Sequence, residues 1–333
     1  MSEQKQGRLS RLWQVARPML SVGFSVGLMV YILSGVQWPE LAETFRLMTL
    51  PALLTAFALM VLNDLFLACK CYFLRPDLSF WRVCCAFLSL RFFSLLPGGN
   101  VTGETARLMA LRDMTDTQTA AAMLIMDKQT HMIPAQTYCL TTLPFATVAV
   151  PVPLVWFAVW SLIWPLLAPG VLFVPRIRRW AQRVGQRLRR WKLGGVLADQ
   201  LDLLCGFCET MTHHPRQFAL HLLCGFLGEG CYIAMEILLS RQLGFPIPWW
   251  DWLWLNSMLL LAMVIPFSVM GTGVREAALV VLLGWYGISQ SQAMGLPLII
   301  SSLMLLKGLA AGVVVMLDRR ARARREARPA HAR

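Results

Sequence analysis

The chain has 333 residues, of which 57% are hydrophobic and only 15% charged, and its mean hydropathy is +0.56. Ordinary globular domains carry about 25% charged residues, so this excess of apolar side chains excludes a soluble domain and requires lipid to cover it. The formal charge of +13 does not indicate a nucleic-acid partner, because the basic residues gather in short stretches flanking apolar segments, as positive-inside topology dictates.

At the N-terminus Lys5, Arg8, Arg11 and Arg17 precede an apolar run from Met19, and no A-x-A cleavage signal follows it. Residues 1–17 are therefore expected to be a basic cytoplasmic segment and residues 18–36 an uncleaved first span. A spanning helix needs about 20 predominantly apolar residues, which predicts further spans over 50–69, 129–150, 152–174, 218–240 and 295–317. Residues 175–193 hold Arg176, Arg178, Arg179, Arg183, Arg187, Arg189, Arg190 and Lys192 without an acid, so the loop 175–216 is assigned to the cytoplasm. The arginine-rich tail 318–333 is assigned to the same side. Residues 37–43 carry acids and no Lys or Arg, and residues 289–292 no charge, which fits the outer side.

Two apolar stretches are too short and broken to span. With Lys70, Arg75 and Arg82 near the cytoplasm, as well as Arg112 and Asp113, the chain from 83 to 112 must leave that side and return to it. Its turn holds Pro97, Gly98, Gly99, Asn100, Gly103 and Glu104. The chain from 252 to about 286 does the reverse on the outer side, turning at Pro266, Gly271, Gly273, Arg275 and Glu276. Each stretch reads as an apolar arm, a Pro, a Gly-rich polar run, then Thr-Gly and a Glu opening the next helix. Gly/Pro-interrupted segments at corresponding positions of oppositely inserted halves point to a transporter's midplane site. The alternative is that each turn merely kinks a packed helix. The predicted fold is thus an all-α integral membrane protein with about six spanning helices and two oppositely inserted re-entrant hairpins. It forms one polytopic domain, 18–317, of inverted-repeat transporter type.

An ionisable side chain at the centre of a span costs roughly 2.5 to 3.5 kcal/mol on insertion scales and is a functional hypothesis by default. Arg91, Arg275 and Lys307 are suited to gather around an anionic phosphate, with helix N-termini beginning at Gly103 and Gly273 aimed at the same anion. Arg107 lies near the first turn. Asp127, Lys128 and Glu229 are candidates for a proton or charge relay, and Glu276 for a proton carrier. The competing reading is internal neutralisation, in which Glu229 or Glu236 pairs with Lys307; for Glu236 and Asp64 a pairing role is preferred. The nine cysteines read as small buried hydrophobes, and Cys205-x-x-Cys208 before His213 and His214 lacks a second ligand cluster for zinc. No G-x-S-x-G, H-E-x-x-H or Walker motif occurs, so neither catalytic residue, cofactor nor metal is expected. His131 reads as a satisfied core residue.

The run Phe92-Phe93-Ser94-Leu95-Leu96-Pro97-Gly98-Gly99, with Gly103-Glu104 and Arg107, resembles a family motif of a Phe-rich helix, Leu-Pro-Gly-Gly and Gly-Asp with a nearby Arg. Pro266, Gly271 and Gly273-Val274-Arg275-Glu276-Ala277, followed by Leu283-Gly284, Gly287 and Gln292-Ala293, are similar to the Gly-Val-Arg-Glu signature of the same family. This is the flippase-like membrane region of lysylphosphatidylglycerol synthases, which also occurs alone. Glu104 stands where the family usually has Asp, Asn100-Val101-Thr102 replaces a more glycine-rich run, and Asp127-Lys128 replaces an acid-Arg pair. The charge signs survive; the preferred headgroup need not. The resemblance implies a lipid partner, and the short arginine-rich tail leaves no room for the family's soluble synthase domain.

Together these readings lead to a flippase or translocator moving a lipid with an anionic or glycosylated headgroup, in the bacterial inner membrane with both termini cytoplasmic. The substrate-binding set would be Arg91, Pro97, Gly98, Gly99, Asn100, Gly103, Glu104, Arg107, Gly271, Gly273, Arg275, Glu276 and Lys307. Two other classes stay open. One is a non-transporting accessory protein of a lipid-modifying or envelope-biosynthesis enzyme, its basic loop and tail on anionic headgroups. The other is an intramembrane lipid-linked transferase with Glu104 or Glu276 as base. A homo-oligomer or an enzyme partner is open as well.

Overall fold

The computed structural model describes residues 36–96, 99–149, 174–189, 194–264 and 274–326, with Ser34, Trp156, 159–161 and 163. The predicted spans 18–36 and 152–174 lie almost wholly outside the described residues, as do the centres of both Pro/Gly turns, 97–98 and 265–273. All regular structure among the described residues is helical.

The first helices are α1 (Trp38–Arg46), α2 (Leu50–Tyr72), α3 (Phe80–Phe93), α4 (Gly99–Arg112) and α5 (Thr117–Thr142). They are followed by α6 (Pro175–Leu188), α7 (Gly194–His213), α8 (Pro215–Gln242), α9 (Trp249–Val264), α10 (Val274–Gly284) and α11 (Gln290–Glu326). Helices α2, α8 and α11 are long and apolar enough to cross a bilayer. Their unpacked faces are apolar, with Leu54 and Leu65 on α2, Leu223 on α8, and Leu306, Val313 and Leu317 on α11 all exposed. A surface of this kind is covered by hydrocarbon in a membrane protein, since water would penalise it at roughly 25 cal/mol per Å².

The helix expected over 129–150 is displaced. It starts at Thr117, where Asp116 caps the helix by accepting from the Thr119 N–H at 2.9 Å; the bonds to Thr119 hold its carboxyl below the ordinary range. It ends at Thr142, where residues Leu143–Phe145 tighten into a 3₁₀ turn around Pro144, which has no N–H to donate, and the chain turns extended at Ala146. Helix α11 also exceeds its prediction, running unbroken through Pro297 into the basic tail as far as Glu326.

Both broken stretches are pairs of short helices packed side by side, α3 with α4 and α9 with α10. At 14, 14, 16 and 11 residues, none reaches the roughly 30 Å of a hydrocarbon core at 1.5 Å per residue. Helix α4 starts at Gly99, whose φ of 53° lies in the left-handed region that favours glycine. The predicted start at Gly103 is corrected. Gly103 is instead interior to α4, where a Cβ would come within 2.6 Å of the Leu90 backbone carbonyl; its lack of a side chain is what lets the two arms touch.

The tightest helix pair is α2 with α8. Asn63 Nδ2 donates to the Gly228 carbonyl across it at 2.8 Å, and Gly225 and Gly228 face Lys70 and Phe66 without side chains of their own. Apolar residues collect in two main clusters. One contains Ala56, Met60, Ile233, Trp254, Leu283 and Ile300, the other Cys71, Leu74, Leu111, Met123, Met211 and Phe218. Along α2 the buried polar residues Asn63, Asp64 and Lys70 lie between these clusters.

Gly103→Ala should lower the thermal unfolding midpoint of the detergent-solubilised protein, with a cost of about 1 to 3 kcal/mol for forcing the arms apart. Gly206→Ala, at a helix position with nothing within 4 Å of the added Cβ, should be neutral or stabilise by about 0.5 to 1 kcal/mol. Equal melting of the two variants would show that the α3–α4 approach is not close.

Candidate functional site

Asp64 lies on α2 with its side chain 6% exposed, and each of its oxygens takes a different cation. Arg91, in the last turn of α3, reaches Oδ1 with Nη2 at 2.7 Å and Nε at 2.9 Å, and Lys307, from the middle of α11, reaches Oδ2 at 2.8 Å. One carboxylate thus serves two cations, and the cluster carries an excess positive charge. The competing expectation that Lys307 pairs with Glu229 or Glu236 is corrected. Glu229 Oε1 instead accepts from Asn256 Nδ2 at 2.5 Å, and Glu236 is fully buried beside Tyr232 and Arg275 with neither oxygen in a well-formed hydrogen bond.

Arg275 opens α10 and is 6% exposed. Its Nη2 donates to the Tyr232 hydroxyl at 2.8 Å and its Nη1 to the Met304 sulfur at 3.1 Å. Both partners are neutral, and Arg275 forms no ion pair among the described residues. The neighbouring Glu276 accepts from Ser301 Oγ at 2.9 Å. Met304 and Lys307 are one turn apart on α11, so the second hairpin's cation and the Asp64 cluster sit on adjacent turns of one helix.

Helix α11 is where the two hairpins meet. Trp81, at the start of α3, donates to Asp318 at 2.9 Å, while Phe92 and Leu95 near its end close onto Gly312 and Gly308. Helix α3 therefore runs back along α11 from residue 318 to its middle. Helix α10 starts from the same middle, at Ser301 and Met304, and continues toward the α11 N-terminus, to which a short link joins it. The end of α3 and the start of α10 thus face each other across about one to two turns of α11, near residues 304–308.

A second ionic group lies toward the other end of α2. Lys70, fully buried, contacts Asp127 Oδ1 at 3.0 Å and donates to the Asp127 carbonyl at 2.8 Å. Arg107 Nη1 contacts Asp127 Oδ2 at 2.9 Å and Glu104 at 3.9 Å, and Glu104 binds the exposed Lys128 at 2.6 Å. His221 ties the group to α8, with Nδ1 2.7 Å from the Lys70 carbonyl and Nε2 2.7 Å from Thr130 Oγ1. Phe87 joins the two groups. Its ring lies 5.0 Å from the Arg91 guanidinium and 5.1 Å from that of Arg107, both within cation–π range.

Of the predicted site residues, the structure brings together Arg91, Arg275, Glu276 and Lys307 along α11, and separately Glu104, Arg107, Asp127 and Lys128. Gly99 and Asn100 form the start of α4, Gly103 its packed interior, and Glu229 stands apart with Asn256. Pro97, Gly98, Gly271 and Gly273 lie outside the described residues. Four important side chains were missed. Lys70 reads as a flanking basic residue because Arg75 and Arg82 follow it; its place between Cys69 and Cys71 in an apolar run is the signal. Tyr232 lies one turn from both Glu229 and Glu236, and Phe87 is one more aromatic in an apolar arm. Asp251 is fully buried, accepting from Trp254, Tyr286 and the hydroxyl and N–H of Thr147. No group of His, Cys, Asp and Glu suited to hold a metal occurs among the described residues, and Cys205 and Cys208 are buried thiols.

Helices with lipid-facing apolar surfaces around a band of buried charge define a polytopic α-helical membrane protein. The family described as lysylphosphatidylglycerol synthase TM region matches residues 19–312, and the chain belongs to that family. No curated protein and no solved structure matches the chain.

Asp64→Asn should destabilise the protein by roughly 3 to 5 kcal/mol, because it leaves two partly buried cations without a counter-charge. Adding Lys307→Met to Asp64→Asn should recover part of that loss in the same melting experiment. A double variant no more stable than Asp64→Asn alone would mean that the charges do not interact.

Proposed function

We propose that the protein is a flippase that carries a lipid with an anionic, phosphate-bearing headgroup between leaflets, the headgroup passing through the protein while the acyl tails stay in lipid. The observation that carries this reading is the meeting of α3 and α10 at the middle of α11 with Arg91, Lys307 and Arg275 gathered there. Cations this deep are costly. Asp64 is shared by two of these cations, and Arg275, although Glu236 and Glu276 lie near it, donates its hydrogen bonds to a phenol and a thioether. A phosphate would balance the excess positive charge of the Asp64 cluster, with the guanidiniums offering planar forks of donors. The side chain of Arg91 is 31% exposed, which leaves a face from which a headgroup can be engaged.

The same reading makes the two short helix pairs re-entrant hairpins, entering from opposite faces and closing on a shared midplane site. Non-helical backbone at such depth is tolerated where it is buried or lines a polar cavity, which suits the Pro/Gly turns. It places residues 18–317 in the bacterial inner membrane as one transport domain, with 1–17, 175–216 and 318–333 in the cytoplasm. It assigns the chain to carriers and not to transferases. Glu276, Glu229 and Asp127 with Lys128 are then candidates for moving the compensating charge.

Purified protein in liposomes should equalise a labelled anionic phospholipid between leaflets faster than protein-free vesicles. Arg275→Ala should slow this at least tenfold, and Arg275→Lys should retain more of the rate because it keeps the charge. Folding of each variant is checked by its melting profile. Transport by a folded Arg275→Ala variant at the parental rate would remove the basis for the assignment. Product release from a labelled lipid donor would favour the transferase, and activity seen only with a partner enzyme the accessory role.

A further inference from the structure

Helix α6 contains Arg176, Arg178, Arg179, Arg183 and Arg187 and no acidic residue. At 100° per residue its side chains divide into two opposite stripes. Arg178, Ala181, Gly185 and Arg189 form the stripe that packs on α7. Ala181 and Gly185 are buried, the latter with Ala198 opposite it, and the arginines meet acids of α7. Arg189 Nη2 lies 2.9 Å from both Asp199 and Asp202, and Arg178 lies 3.7 Å from Glu209. The opposite stripe consists of Arg176, Trp180, Arg183 and Arg187, all exposed, with Trp180 63% accessible. None of these three arginines forms an ion pair among the described residues. Helix α7 thus neutralises one face of α6 and leaves the other as an uncompensated row of guanidiniums around a single indole, with the apolar Ile177 and Val184 on its flank.

We infer that this stripe is a docking surface for the anionic phospholipid headgroups of the adjoining leaflet, separate from the site on α11 and independent of whether the protein moves lipids. Three features favour a lipid surface over a soluble acidic partner. Helix α6 follows directly on the apolar run 152–174, which is long enough to span, and a bilayer around that run puts the charges of α6 within the distance over which an anionic membrane attracts basic residues. An indole set among guanidiniums suits the headgroup level, where its apolar body and N–H are both accommodated. The flanking Ile177 and Val184 add the apolar edge that an interfacial helix places toward the acyl boundary. Each of the three arginines should raise the local affinity for an anionic surface about fivefold, and together roughly a hundredfold.

The test uses the full chain with Trp180→benzoylphenylalanine, reconstituted in liposomes of phosphatidylcholine alone or with phosphatidylglycerol, irradiated and analysed for lipid adducts by mass spectrometry. Adducts should form at least several times more with phosphatidylglycerol present. The gain should disappear in a variant that also carries Arg176→Gln, Arg183→Gln and Arg187→Gln, and in high salt, where surface charge is screened. The substituted residues lie away from the α6–α7 interface, so melting should be unchanged. Equal labelling in both lipid compositions would overturn the inference, as would cross-linking in cells to protein or RNA in place of lipid.

Discussion

The carboxylate of Asp64, held between Lys307 and Arg91, is the contact on which the middle of the molecule depends. In the low dielectric of a membrane protein's interior an isolated charge is expensive, and attraction between partners grows as water is withdrawn. Two consecutive helices and one from the far end of the chain are therefore tied at one point, α2 through the acid, α3 and α11 through the bases. Because the acid serves two cations, the same contact that joins the helices leaves the cluster positive. In the proposed role, one arrangement both ties the helices together and attracts the anion.

Helix α11 turns that point into a line. Its glycines at 308 and 312 admit Leu95 and Phe92 at the end of α3, and its Gly295 admits Thr44 of α1, so two elements approach its backbone closely while Ser301, Met304 and Lys307 take the polar partners. Van der Waals contact through small residues and satisfied polar groups are the forces available to helices in lipid, where apolar surface alone gives no preference for a neighbour. The short arms α3 and α10 have no means of crossing by themselves. Their ends are stabilised where α11 offers both.

Phe87 and the Lys70–Asp127–Arg107 group extend the same economy of charge away from the centre. Arg91 and Arg107 belong to different ion pairs, yet their guanidiniums share one aromatic ring, so movement of either is felt by the other. Helix α6 shows the converse, with arginines paired where they face α7 and uncompensated where they face outward.

Much was legible in the residues alone. Apolar length located α2, α8 and α11, because a bilayer sets a minimum span and no tertiary contact is needed to meet it. Pro and Gly mark both breaks, because backbone sterics act within a few residues, and the run Gly273-Val274-Arg275-Glu276 carries the signature of the family that matches residues 19–312. Arg91, Arg275 and Lys307 stood out since any charge in an apolar run does. What one-dimensional pattern does not contain is distance: that Asp64 and not Glu229 or Glu236 answers Lys307, that Lys70 turns inward while Arg75 stays at the surface, and that Gly103 packs an interface in place of starting a helix. Partner choice among buried charges depends on which helix faces bring them within about 3 Å, and that was decided only when the glycine contacts of α8 and α11 set how closely the helices approach.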